Sequence, residues 1–146
     1  MQLPVDKIRE LCKKHGIMVF ILFGSYAANR FDSESDVDVA ILVKNPVSIL
    51  KSRTRILKKL SDLFGYKDID LVLLNHADPL LKFNIAREGK LIYEETKGLF
   101  NIFKVRAMSE HNDAKKFYQL EKEFVKQYIE RGKLNGKPRV SPPQTK

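Results

Sequence analysis

The feature that most constrains this chain is an uncharged apolar run, Ile17-Met18-Val19-Phe20-Ile21-Leu22-Phe23, that stops abruptly at Gly24-Ser25. A run of this length, rich in β-branched and aromatic residues and closed by a turn pair, reads as a buried strand. A second apolar run, Val37 to Val43, opens on Ser35-Asp36-Val37-Asp38. Side chains alternate faces along a strand, so Asp36 and Asp38 share one face while Val37 and Val39 turn to the core. The intervening Tyr26-Ala27-Ala28-Asn29-Arg30-Phe31 is expected to form one short helix with Ser25 near its start. A helix start offers free N–H groups and the positive end of a dipole, which suits a phosphate.

A third acid falls at the start of a later strand-like run, Lys67-Asp68-Ile69-Asp70-Leu71-Val72-Leu73-Leu74. If that strand lies beside the one carrying Asp36 and Asp38, Asp70 joins the pair. Clustered carboxylates repel one another, and divalent cations are the simplest relief. Gly24-Ser25 alone would be an ordinary turn, and Asp36-x-Asp38 alone two exposed strand acids. Together, with a strand before and after, they point to metal-assisted phosphate chemistry. Ser33 and Glu34 read as loop residues, and Ser35 as a partner for the turn or a phosphate.

These residues carry a resemblance. Gly24-Ser25, Ala27, Ser35-Asp36-x-Asp38 and Asp70 look like the signature of the nucleotidyltransferase superfamily. The continuation through Ile69 to Asn75, Pro79-Leu80-Leu81 and Arg87 to Glu94 is similar to the minimal nucleotidyltransferases, the MntA-type antitoxins paired with HEPN-domain toxins. The likeness covers roughly residues 5 to 130, and Asn29 stands where many relatives have Gly. It implies a polymerase beta-like α/β (α+β) fold, with a small mixed sheet, helices packed on it and a long C-terminal helical segment. It also implies an Mg²⁺-dependent protein adenylyltransferase, with Asp36, Asp38 and Asp70 as catalytic and metal residues for two Mg²⁺ ions. Gly24, Ser25 and Ser35 would bind the nucleotide, ATP would be the donor, and a tyrosine of the cognate HEPN toxin the acceptor. AMP on that tyrosine would silence the toxin, with which the chain would form a hetero-oligomer. Two other readings stand beside it: an antitoxin that neutralises its toxin by binding alone, and a nucleotidyltransferase acting on RNA or a small molecule.

The rest of the chain supplies a frame. Its 146 residues, 43% hydrophobic with nine Phe, suit one folded domain. That domain is expected over residues 1–131, with 132–146 a basic, Pro- and Gly-containing flexible tail. No stretch has the length of a membrane span, the amino terminus lacks a signal-peptide pattern, and the one cysteine, Cys12, has no internal disulfide partner. A reducing cytoplasm fits these facts, with Cys12 a packing residue. The net charge of +9 attracts ATP or an acidic partner as readily as nucleic acid, and no basic stripe interleaved with aromatics favours the latter.

Helices are expected over Val5 to His15, with Asp6 as cap and Gly16 as stop, and from Pro46 to Phe64. The apolar face of the second is Ile49, Leu50, Ile56, Leu57, Leu60 and Leu63, and Lys51, Arg53, Arg55, Lys58 and Lys59 read as its solvated side. Asp78-Pro79 starts a third helix that Gly89 closes, Leu91-Ile92-Tyr93 forms an edge strand, and Arg87 steadies the third helix's end. Gly98 to Arg131 reads helical with a bend at Ser109 to Asp113, where the apolar stripe lapses. His76 and His111 lack the spacing of a zinc site.

Overall fold

The computed structural model describes residues 3–27 and 36–135. Helices α1 (Val5–His15), α2 (Pro46–Leu63), α3 (Pro79–Glu88) and α4 (Leu99–Asn135) alternate with strands β1 (Ile17–Phe23), β2 (Val37–Val43), β3 (Ile69–Leu73) and β4 (Lys90–Glu94). The strands form one mixed sheet in the order β3-β2-β1-β4. β1 runs antiparallel to β2 and β4, while β2 and β3 are parallel, so α2 is the crossover between them. The chain divides into two compact units, Met1–Met108 and Ser109–Lys146.

In the first unit, alternation along the strands sorts the core into two layers. Phe20 and Leu22 of β1, Val37, Val39 and Ile41 of β2 and Leu71 of β3 pack against Ile8, Leu11 and Cys12 of α1 and Ile49, Ile56 and Leu60 of α2. Val19, Ile21 and Ala40 face the other way, toward Ile85 and Ala86 of α3 and Phe100, Phe103 and Ala107 of α4. A sheet covered on both faces needs near-continuous apolar strands, which accounts for the uncharged run of β1.

Local signals set the helix ends. Gly16 takes the left-handed conformation at φ 66° and donates its N–H to the Cys12 carbonyl, which closes α1 and lets β1 start one residue later. Asp6 does not cap α1: Pro4 holds the cap position and Asp6 sits in the first turn, 4.0 Å from Arg9. The Asn45 side chain accepts the Val47 and Ser48 N–H groups and starts α2, and Asp78 accepts the Leu81 N–H to start α3. Glu94, the last residue of β4, accepts the Gly98 and Phe100 N–H groups at the start of α4.

Two further expectations need correction. Leu50 is 66% exposed and lies off the buried face of α2. After Leu73 the chain leaves the strand for a short 3₁₀ turn, Leu74–His76. There the Asn75 side chain donates to the Val43 carbonyl and accepts from the Val43 N–H, in place of a strand pairing. Residues Ser109 to Asp113 are helical like their neighbours, and the division between the two units falls just before them. In the second unit Phe117, Leu120, Phe124 and Ile129 are exposed. The short helix expected over Tyr26–Phe31 lies mostly outside the described residues; Tyr26 and Ala27 belong to a turn. Among the described residues no helix is long and apolar enough to cross a membrane.

Candidate active site

β2 and β3 lie side by side in register, with Asp38 opposite Asp70. On both strands the flanking residues Val37, Val39 and Leu71 face α1 and α2, so both carboxylates rise from the other face. Asp36 precedes β2 on the same side and is exposed, whereas Asp38 is partly buried. Phe23, the last residue of β1, pairs with Asp38 from the opposite neighbour. The turn at Gly24 therefore begins against the central carboxylate.

Gly24 is there for two physical reasons. Its φ of 66° lies in the left-handed region, and a Cβ at this position would stand 2.2 Å from Oδ2 of Asp38. The missing side chain is the space that the carboxylate occupies. Ser25 and Ala27 continue the turn, with Tyr26 buried against the edge of the Phe64 ring. Ser35 lies outside the described residues.

The carboxylates perturb one another. Burial first, then the charge of Asp70, a hydrogen bond shared with the Asp70 carboxyl and the charge of Asp36 all push the Asp38 carboxyl above its ordinary range. That hydrogen bond exists only while the pair retains a proton, so a fully ionised pair is under repulsion.

Among the described residues no three His, Cys, Asp or Glu side chains are gathered closely enough to cage a cation by themselves. Asp38 and Asp70 are the interacting pair, and Asp36 acts on Asp38 through space. This donor set fits Mg²⁺ nonetheless. The ion prefers hard oxygen donors and is commonly held by one or two carboxylates, with substrate phosphates and water completing its shell. A complete protein cage would leave no position for a nucleotide.

One contributor escaped the sequence reading. Arg53 does not belong to the solvated side of α2: it is half-buried and donates its Nη2 to the Leu71 carbonyl, 3.1 Å away. β3 is an edge strand, and this bond ties it to α2 one residue beyond Asp70. One Arg among Lys51, Arg55, Lys58 and Lys59 carries no sequence signal for such a contact. Arg87 pairs with Glu88 and Asn84 and lies over the Phe83 ring, which leaves it a local role on α3.

The family model described as polymerase beta, nucleotidyltransferase matches residues 6–98. Protein adenylyltransferase MntA of Aphanizomenon flos-aquae is 29% identical over 132 residues, 85% of this chain and 88% of the relative. A Methanocaldococcus jannaschii protein assigned the same activity is 34% identical over 83 residues, 57% of this chain and 87% of the relative. Among solved structures, a toxin–antitoxin complex with AMP-PNP holds a chain that superposes with a TM-score of 0.67 at 25% identity, covering 84% of this chain and 98% of that one. The match over residues 6–98 shows that this chain belongs to the polymerase beta-type nucleotidyltransferases, and the relatives it resembles are protein adenylyltransferases, MntA among them.

Proposed function

We propose that this chain is an Mg²⁺-dependent protein adenylyltransferase. It transfers AMP from ATP to a tyrosine hydroxyl of a cognate HEPN-domain toxin and acts as that toxin's antitoxin. The observation that carries the reading is Asp38 set against Asp70 on adjacent strands, at the mouth of the Gly24 turn. The protein adenylyltransferase activity in the relatives' names, and the AMP-PNP in a similar toxin–antitoxin complex, support the choice of donor and acceptor class.

Asp36, Asp38 and Asp70 are the residues that would hold two Mg²⁺ ions. Bound there, Mg²⁺ neutralises triphosphate charge and lowers the pKa of an acceptor hydroxyl. Backbone N–H groups of the Gly24 turn and the Ser25 hydroxyl hold the outer phosphates. Ser35 is assigned to the same task. Asp70 orients the acceptor hydroxyl and takes its proton. The acceptor oxygen forms a bond to the α-phosphorus, the bond from that phosphorus to the bridging oxygen breaks, and pyrophosphate leaves with the electron pair. Positioning and charge complementarity supply the acceleration.

The test is incubation of the purified chain with ATP labelled in the α-phosphate, Mg²⁺ and the cognate toxin. Label on the toxin with the wild type, and none with Asp38→Ala or Asp70→Ala, is expected. An unlabelled toxin with the wild type, or equal labelling by Asp38→Ala, refutes the reading.

A further inference from the structure

The face of the sheet opposite the carboxylates carries a second feature. α1 and α2 pack there side by side, and between their outer surfaces runs an open groove of about 430 Å³. Lys7 and Lys14 line it from α1, Arg55 and Lys59 from α2, and Glu10 is the one acid on its walls. All four cations are exposed, and among the described residues none of them is in an ion pair or a hydrogen bond. A lysine-bearing helix face is ordinarily just solvated. Here two helices direct their charges into one concavity, with a single carboxylate to offset four cations.

His15, at the end of α1, registers the resulting field. Burial first, then the charges of Lys14 and Arg55, hold its imidazole below the ordinary range. The groove is therefore lined by positive charge with a largely neutral histidine at one end.

The chemistry of the lining narrows the ligand. Its one apolar residue, Leu11, is buried, so the groove has no exposed hydrophobic anchor of the kind that dominates protein interfaces. Its one aromatic ring is the His15 imidazole at one end, so it lacks the row of Phe, Tyr or Trp rings on which successive unpaired bases stack. Charge without stacking or anchoring is the pattern of contact with phosphates of a paired helix. Lys7 and Lys14 are two helical turns apart, about 10 Å along the axis. A duplex carries one charge per roughly 1.7 Å of its axis, so several phosphates fall within that reach.

We propose that the α1/α2 groove binds the phosphate backbone of double-stranded nucleic acid, independently of base sequence, through Lys7, Lys14, Arg55 and Lys59. The proposal rests on the groove alone and not on the carboxylates or their chemistry.

The experiment is fluorescence anisotropy of the full chain with a labelled 20-base-pair duplex, in DNA and RNA arms, over a salt series starting near 50 mM. The wild type is expected to bind with salt-sensitive affinity. Lys14→Gln/Arg55→Gln/Lys59→Gln should weaken binding at least tenfold and lower the log–log salt slope by about 2.7, at about 0.9 per phosphate contact. Glu10→Gln should tighten it. Lys115→Gln/Lys116→Gln/Lys126→Gln, which removes the same charge from the second unit, should leave it unchanged. Because the substituted side chains are exposed, melting temperatures should match the wild type and exclude misfolding as the cause. In the wild type, bound duplex should raise the His15 titration midpoint followed by NMR. No binding to either duplex at low salt, an unaltered slope in the groove variant, or equal weakening by the second-unit variant would overturn the proposal.

Discussion

Gly24→Ala isolates the geometric core of the site in one methyl group. Two separable costs follow. An alanine at φ 66° costs about 1–2 kcal/mol in backbone strain. Its Cβ would also begin 2.2 Å from Oδ2 of Asp38, with Cγ 3.2 Å away, so the carboxylate must move by roughly 1 Å. A displacement of that size at a reacting centre costs about 10²-fold in rate. The variant should therefore fold, melt lower by about 2–8 °C from the backbone part alone, at roughly 2–4 °C per kcal/mol, with the clash adding to this, and transfer AMP about 100-fold more slowly. A double-mutant cycle separates the terms. In an Asp38→Ala background the same substitution should cost only the backbone part, because the atom it strikes is gone. Thermal melts on the four proteins provide the cycle, and adenylyl-transfer rates compare the two that keep Asp38. Near wild-type transfer by Gly24→Ala, or an equal loss of stability in both backgrounds, would refute the argument that the glycine exists to seat the Asp38 carboxylate.

Other outcomes follow from the same coordinates. The Asp38 carboxyl titrates above its ordinary value of 3.8 in the folded chain, so its contribution to stability is full below that value and is lost as pH rises through the elevated one. In EDTA, Asp38→Asn should thus gain melting temperature over the wild type as pH is raised from about 4 to 7; a constant difference would show that the carboxylates do not repel. Arg53→Ala should lower turnover by roughly tenfold through loss of the Leu71 tether beside Asp70, with ATP affinity little changed and partial rescue by Arg53→Lys; unaltered turnover would make the contact structural only. Burial pushes the Cys12 thiol up to about 12, so thiol reagents at neutral pH should modify it only on unfolding, and rapid labelling of the native chain would contradict its packing role. Ending the chain at Arg131 should leave nucleotide affinity intact, and its loss would place the last residues within the nucleotide-binding unit.

Much of this was legible in the sequence because it is written in local chemistry. The uncharged run of β1, the Asp78-Pro79 start of α3 and the Gly16 stop of α1 each need only their neighbours to be read. The meeting of Asp38 with Asp70 was an inference from two strand patterns, and the parallel β2–β3 register supplies it. What escaped depends on contacts between distant segments. Arg53 is chemically like the solvated cations around it until β3 passes within reach, and Asn75 becomes a sheet-extending residue only beside Val43. Leu50 was assigned to the core by spacing, yet α2 buries a narrower stripe, centred on Ile49, Ile56 and Leu60.

The proposed chemistry depends on the aspartates binding nucleotide through Mg²⁺. Isothermal titration of the chain with a non-hydrolysable ATP analogue, with and without Mg²⁺, addresses it most directly. Saturable heat should appear only when both are present and should vanish in Asp38→Ala and Asp70→Ala. Binding of equal strength without the metal, or in either variant, would contradict it.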